Sequence, residues 1–248
     1  MPGNLTQILG LSFLGSIAGL IGGLLLLWKA NFAKKFSLPL ISFAAGVILS
    51  VTFLDMLSAA VEAGGEGTFL LVMIGLVLFF IVEDLFLHYH HHEQHSEKVK
   101  PLVPFLIVSD TIHNFIDGIV IAAAVLIDVN LGLVVAFATF LHEVPQEIGD
   151  FAVMLSTGLS KTKTLLAHLF SACATFAGAL LTYFFYNNSE GLIAPLLAIA
   201  SGMFLYIATA DILPELTKTK HAHGRWIVVV PFVLGLGIIF ILHKFISH

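Results

Sequence analysis

The chain has 248 residues, of which 58% are hydrophobic and only 11% charged, with a formal net charge of −5. An ordinary globular domain carries about 25% charged residues, so the composition excludes a soluble domain and indicates an integral membrane protein. Nothing in the charge balance calls for a nucleic-acid partner, and the lone Cys173 excludes a disulfide framework.

In chain order, the opening MPGNLTQ has no basic region and no small-residue cleavage site, so the first apolar run reads as a membrane span. A transmembrane helix needs about 20 mostly apolar residues. Eight runs qualify: 5–28, 38–61, 68–90, 101–127, 130–157, 163–186, 191–215 and 226–246. The expected architecture is all-α, one membrane domain over residues 1–248 with eight transmembrane helices. The fourth and fifth spans are joined by a very short DVN, which makes them antiparallel neighbours.

The connections after spans 1, 3, 5 and 7 hold Lys29, Lys34, Lys35, Lys98, Lys100, Lys161, Lys163, Lys218, Lys220 and Arg225. Only Lys244 falls on the other side. By the positive-inside rule these connections are cytoplasmic and both termini lie outside. The third span runs into HYHHHEQHSEK, which makes residues 88–100 a histidine-rich cytoplasmic loop. Neutral imidazoles bind metal, so the loop either receives or senses metal or serves as a weakly chelating linker.

The fourth and fifth spans carry polar groups that are expensive at membrane depth. SDTIHNFIDG holds Asp110, His113, Asn114 and Asp117, and FLHEVPQEIGD holds His142, Glu143, Gln146, Glu147 and Asp150. Ionisable residues within a span normally face a protein interior or a watery path. At about 100° per residue, His113 and Asp117 lie about 40° apart on their helix, as do His142 and Gln146 on the next. Two polar stripes therefore face each other. Imidazoles, amides and carboxylates without thiolate suit zinc, and also iron, manganese or cadmium, in a site that can release its ion. Pro145 leaves the Leu141 carbonyl without its helical partner, and Gly118 and Gly149 offer points of close helix approach. HEVPQ also approaches the H-E-x-x-H pattern of zinc proteases, with Gln146 in place of the second histidine. An intramembrane metal-dependent hydrolase is thus the alternative from a different class.

HNFIDG followed by HEVPQEIGD resembles the ZIP (Zrt/Irt-like) family of divalent-metal transporters, as do SGMFLYIATADILPEL at 201–216 and FFIVEDLF at 79–86. The resemblance implies a transporter and not an enzyme, with no catalytic cofactor. Its substrate would be a divalent metal, zinc foremost, with iron or manganese as the alternative, imported into the cytoplasm by alternating access. It also implies a 3+2+3 inverted repeat around the central pair, a cell (inner) membrane of bacterial type, and a homodimer as a candidate assembly in the lipid bilayer. The implied metal residues are His113, His142 and Gln146 at one position of a binuclear site, and Asn114 and Glu143 at the adjacent one. Asp117 would bridge the two and Glu147 would be an additional ligand. Asp110, Asp150 and Asp211 would line the path. Two features depart from the pattern: Gln146 stands where the branch of the family reading H-E-x-P-H-E-x-G-D has histidine, and SACATFAG in the sixth span, where some members place a carboxylate, offers only Thr175.

Overall fold

The computed structural model describes residues 4–91, 102–186, 190–214, 216–217 and 224–246, and among these every regular element is helical. The first span is broken in two, α1 (Leu5–Gly15) and α2 (Ile21–Trp28), around a 3₁₀ turn at Ile17–Leu20. Asn4 and Gln7 close α1 with a reciprocal capping box. The second span is α3 (Ala30–Val51), a π-helical stretch at Thr52–Met56, and α4 (Leu57–Gly64). Then come α5 (Thr68–His91), α6 (Leu102–Ile127), α7 (Val129–Ser156) and α8 (Lys161–Tyr186). A helix α9 (Ile193–Tyr206) passes into a second π-helical stretch at Ile207–Ile212, and α10 (Trp226–Ile246) closes the described chain.

Six of these helical stretches are long and apolar enough to cross a membrane: Leu5–Trp28, Lys35–Gly64, Leu106–Ile127, Lys161–Phe185, Ile193–Ala210 and Trp226–Lys244. The two other predicted spans are also helices. At 1.5 Å per residue, α5 is about 36 Å long and α7 about 42 Å, against a hydrocarbon core of about 30 Å. Helix α7 is less apolar because it carries His142, Glu143, Gln146, Glu147 and Asp150. Large hydrophobic side chains cover the outside of the molecule, among them Phe69, Met73, Phe170, Phe184, Val233 and Ile241, all at least half exposed. Such a surface suits lipid and not water. The chain is an integral membrane protein.

The helices form two groups of four spans. Helix α6 packs on α8, α7 and α1, while α7 packs on α1 and α2. In the other group α3 packs on α10, and α5 and α4 pack on α9. The groups meet where α3 crosses α7 and α9 crosses α6. Helix α6 is central, with residues 120–126 at most 4% exposed, and a helix apolar on all sides belongs in a core.

Three helix pairs meet through glycines facing backbone. A Cβ on Gly118 would lie 1.9 Å from the Thr175 carbonyl oxygen, and one on Gly178 2.0 Å from that of Phe115. Gly46 and Gly235 bear the same relation across α3 and α10, and Gly75 and Gly202 across α5 and α9. Only a missing side chain permits that approach, and close backbone contact is what holds helices together where lipid removes the hydrophobic drive. Gly118 is therefore a point of close approach as expected. Gly149 is not: a Cβ there would meet nothing within 4 Å.

Candidate metal centre

Helices α6 and α7 are joined by Asp128 alone, whose side chain accepts from the N–H groups of Asn130 and Leu131 and caps α7. This turn fixes the pair antiparallel and brings the polar stripes together. Four donors converge: His113 and Asp117 from α6, and His142 and Glu143 from α7. His113 Nε2 is 3.2 Å from His142 Nε2, 3.3 Å from Glu143 Oε1 and 3.6 Å from Asp117 Oδ2. His142 Nε2 is 3.4 Å from Asp117 Oδ2 and 3.6 Å from Glu143 Oε1.

Those spacings have a direct reading. A tetrahedral zinc with ligands at about 2.0–2.2 Å places its donors about 3.3–3.6 Å apart. Two imidazoles and two carboxylates supply the nitrogen and oxygen donors zinc accepts, and two carboxylates balance a divalent charge. Asp117 Oδ1 and Oδ2 and Glu143 Oε1 are buried without a hydrogen bond, an expensive condition for carboxylates unless a cation meets them. The His142 ring is held edge-on by Phe204 of α9, centroids 5.7 Å apart, so the second helix group touches the site there. His113 is the most accessible donor, its side chain 14% exposed, and Asp117, His142 and Glu143 are nearly closed off.

Asn114 stands beside this group with its amide engaged on every side. Its Oδ1 accepts from Ser16 Oγ and Thr175 Oγ1, each at 3.0 Å. Its Nδ2 donates to the Asp110 backbone carbonyl at 3.1 Å and to Asp110 Oδ1 at 3.0 Å. Ser16 is the break in the first span, which aims its hydroxyl at Asn114 and at the Ala172 carbonyl. The helix interruption thus serves the site.

Gln146 lies one turn beyond His142 on α7, half-buried. Glu147 is turned to a different neighbourhood, beside Asp110 and His168. His168 is a residue that reading the sixth span for SACATFAG alone passes over. Its signal is the stripe Thr164, His168, Ser171, Thr175 and Thr182 on α8, all at most 4% exposed and recurring every three, four or seven residues, a helical period. Pro145 is buried within α7, which stays helical across it. The Asp211 side chain and the histidine-rich segment, save the helical backbone of 88–91, lie outside the described residues.

Residues 90–243 match the family model described as ZIP Zinc transporter. The chain belongs to the ZIP family. It is 40% identical over 136 residues to the human protein named Zinc transporter ZIP4, a region covering 54% of this chain and 21% of that protein. It is 33% identical over 150 residues to zebrafish (Danio rerio) Zinc transporter ZIP10, covering 58% of this chain and 18% of the relative. To the bovine (Bos taurus) protein named Metal cation symporter ZIP14 it is 34% identical over 149 residues, covering 57% and 30%. The matched region is thus less than a third of the length of each of these relatives. All three are named as carriers, none as an enzyme, and the matched ZIP region includes all four converging donors.

Proposed function

We propose that this protein carries divalent metal, zinc foremost, through the membrane into the cytoplasm. The observation that carries the reading is the convergence of His113, Asp117, His142 and Glu143 at spacings suited to a tetrahedral cation. The relatives named zinc transporters support zinc, and the one named a metal cation symporter supports a wider range of divalent metals. Glu143, the base of the hydrolase alternative, stands within 3.6 Å of both imidazoles as a ligand would. Asn114 and Gln146 complete the proposed ligand set. For Asn114 to serve a second metal position shared with Glu143 and Asp117, it must exchange its bonds to Ser16 and Thr175 for the ion.

Where the ligands sit supports alternating access. All four are on α6 and α7, in the group formed by α1, α2, α6, α7 and α8. That group, moving against α3, α4, α5, α9 and α10, would take the ion from one side to the other. An inverted repeat of spans 1–3 and 6–8 is supported by the two π-helical stretches. One lies in span 2 with Asp55 and one in span 7 with Asp211. With both termini outside, the first is near the outer face and the second near the inner.

Purified protein in liposomes tests the reading. Zinc influx is expected to fall to the level of empty liposomes in His113→Ala and in His142→Ala, with protein content unchanged. Undiminished influx in both variants would falsify the assignment, and competition among zinc, iron, manganese and cadmium ranks the substrates.

A further inference from the structure

A second group of ionisable side chains lies one turn from the first. Asp110 precedes His113 by three residues on α6, about 4.5 Å along the axis, and Glu147 follows Glu143 by four on α7, about 6 Å. Both displacements run toward the ends of α6 and α7 whose connections hold the basic residues, the proposed cytoplasmic face. His168 of α8 completes the group. Its Nδ1 is 3.3 Å from Asp110 Oδ2 and 3.0 Å from Glu147 Oε2.

The cluster is built and not incidental. Asp110, Glu147 and His168 are at most 5% exposed. The His168 ring is stacked on Phe151, centroids 4.4 Å apart and planes 29° from parallel, which fixes where its nitrogens sit. Asp110 spends Oδ1 on the Asn114 amide, so Oδ2 is the oxygen turned to the cluster. Asp110 Oδ2, Glu147 Oε2 and His168 Nδ1 are buried within 4.8 Å of one another, and beyond this group they have no hydrogen-bond partner. Three donors from three helices converge, and the single His168 Nδ1 is shared at ion-pair distance between two carboxylate oxygens. Two carboxylates and one imidazole form a nitrogen–oxygen set suited to a borderline divalent cation. A dication cancels the two carboxylate charges, whereas an imidazolium offsets only one.

We propose that Asp110, Glu147 and His168 form a second divalent-metal site, which receives the ion from the His113–Asp117–His142–Glu143 centre and passes it inward. The direction of transfer rests on the import reading; the site itself does not. Asn114 joins the two, since it adjoins His113 in sequence and holds Asp110 through its amide.

The test counts zinc bound to the purified full-length chain by equilibrium dialysis. All variants carry Ala at His88, His90, His91, His92 and His95, so that the histidine-rich segment adds no ions. The variant His113→Ala/His142→Ala is expected to keep zinc at the second site. Adding His168→Asn, which retains a polar group of similar size, is expected to remove about one ion per chain, and adding Glu147→Gln is expected to do the same. Melting temperature and size-exclusion profile identify folded variants, and Glu147→Gln alone provides the count should a triple variant fail to fold. An unchanged zinc count in folded His168→Asn and Glu147→Gln variants overturns the proposal and leaves a static ion-pair cluster. Absent influx by the chain with His113 and His142 intact, with the second-site ion still bound, overturns the import reading and leaves the site intact.

Discussion

At the scale of single residues, the site is a set of buried donors held by neighbours that have little else to do. Ser16 and Thr175 both donate to Asn114, and Phe151 holds the His168 ring. Gln146 is the place where donor chemistry is weakest, because a neutral amide is a poorer zinc ligand than imidazole. It sits four residues after His142, on the same face of α7. Gln146→His is therefore expected to tighten zinc binding by about tenfold, about 1.4 kcal/mol, and to slow turnover because the ion leaves more reluctantly. Zinc titration alongside liposome influx checks both; weaker binding would place Gln146 outside the ligand shell. His113, Asp117 and His142 were legible as helical stripes, since polar residues three and four apart in a span share a face. Glu143, next to His142 and about 100° round the helix, came only with the family resemblance and at a neighbouring metal position. The partition of Glu147 away from them was not legible. Periodicity gives the direction of a side chain on its own helix, but Glu147 turns to His168, a residue on a third helix whose rotation the sequence leaves open.

At the scale of elements, the first span works as a backing plate for the site. Its glycines press on the segment of α7 that carries the ligands: a Cβ at Gly19 would lie 2.6 Å from the Glu143 Cβ, one at Gly22 2.0 Å from the Val144 carbonyl oxygen, and one at Gly23 2.4 Å from the Phe151 ring. Gly22→Ala must move backbone and not merely a side-chain tip. Overpacking of that kind costs about 1–3 kcal/mol. The expected outcome is a lower melting temperature together with reduced influx, because the displaced segment holds Glu143. Gly149→Ala on α7, where a Cβ meets nothing within 4 Å, is the comparison: helix propensity favours alanine over glycine by about 1 kcal/mol, so its melting temperature should hold or rise. Equal losses in the two variants would show that glycine content and not the contact with α7 matters. Span positions in α6, α7, α8 and α10 follow the hydropathy of the sequence to within two residues at each end. The break at Ser16 and the π-helical stretches were not legible, because they answer to tertiary demands, the reach to Asn114 being the clearest.

At the scale of the whole molecule, the number of crossings decides what the transport path is. Six helical stretches qualify as spans on apolarity, Thr68–Ile81 of α5 is a shorter apolar helix, and α7, which carries half the site, is not among them. A count made on hydropathy alone penalises a helix for holding ligands. If α7 crosses the membrane, Asp128 before it and Lys161 after it lie on opposite sides; if it does not, they lie on the same side. Glu66 and Lys98 make the corresponding pair for α5. Cysteine placed singly at these four positions, in a Cys173→Ala background that removes the only native thiol, reports the side directly through a membrane-impermeant maleimide. Labelling of the Glu66→Cys and Asp128→Cys variants is expected on intact cells. The Lys98→Cys and Lys161→Cys variants should label only after permeabilisation, as the proposed orientation with basic residues on the cytoplasmic side requires. Should the Asp128 and Lys161 variants label together, α7 would enter and leave by one face. The four donors would then line a re-entrant pocket and not a path, and the two-group exchange proposed for transport would lose its moving element.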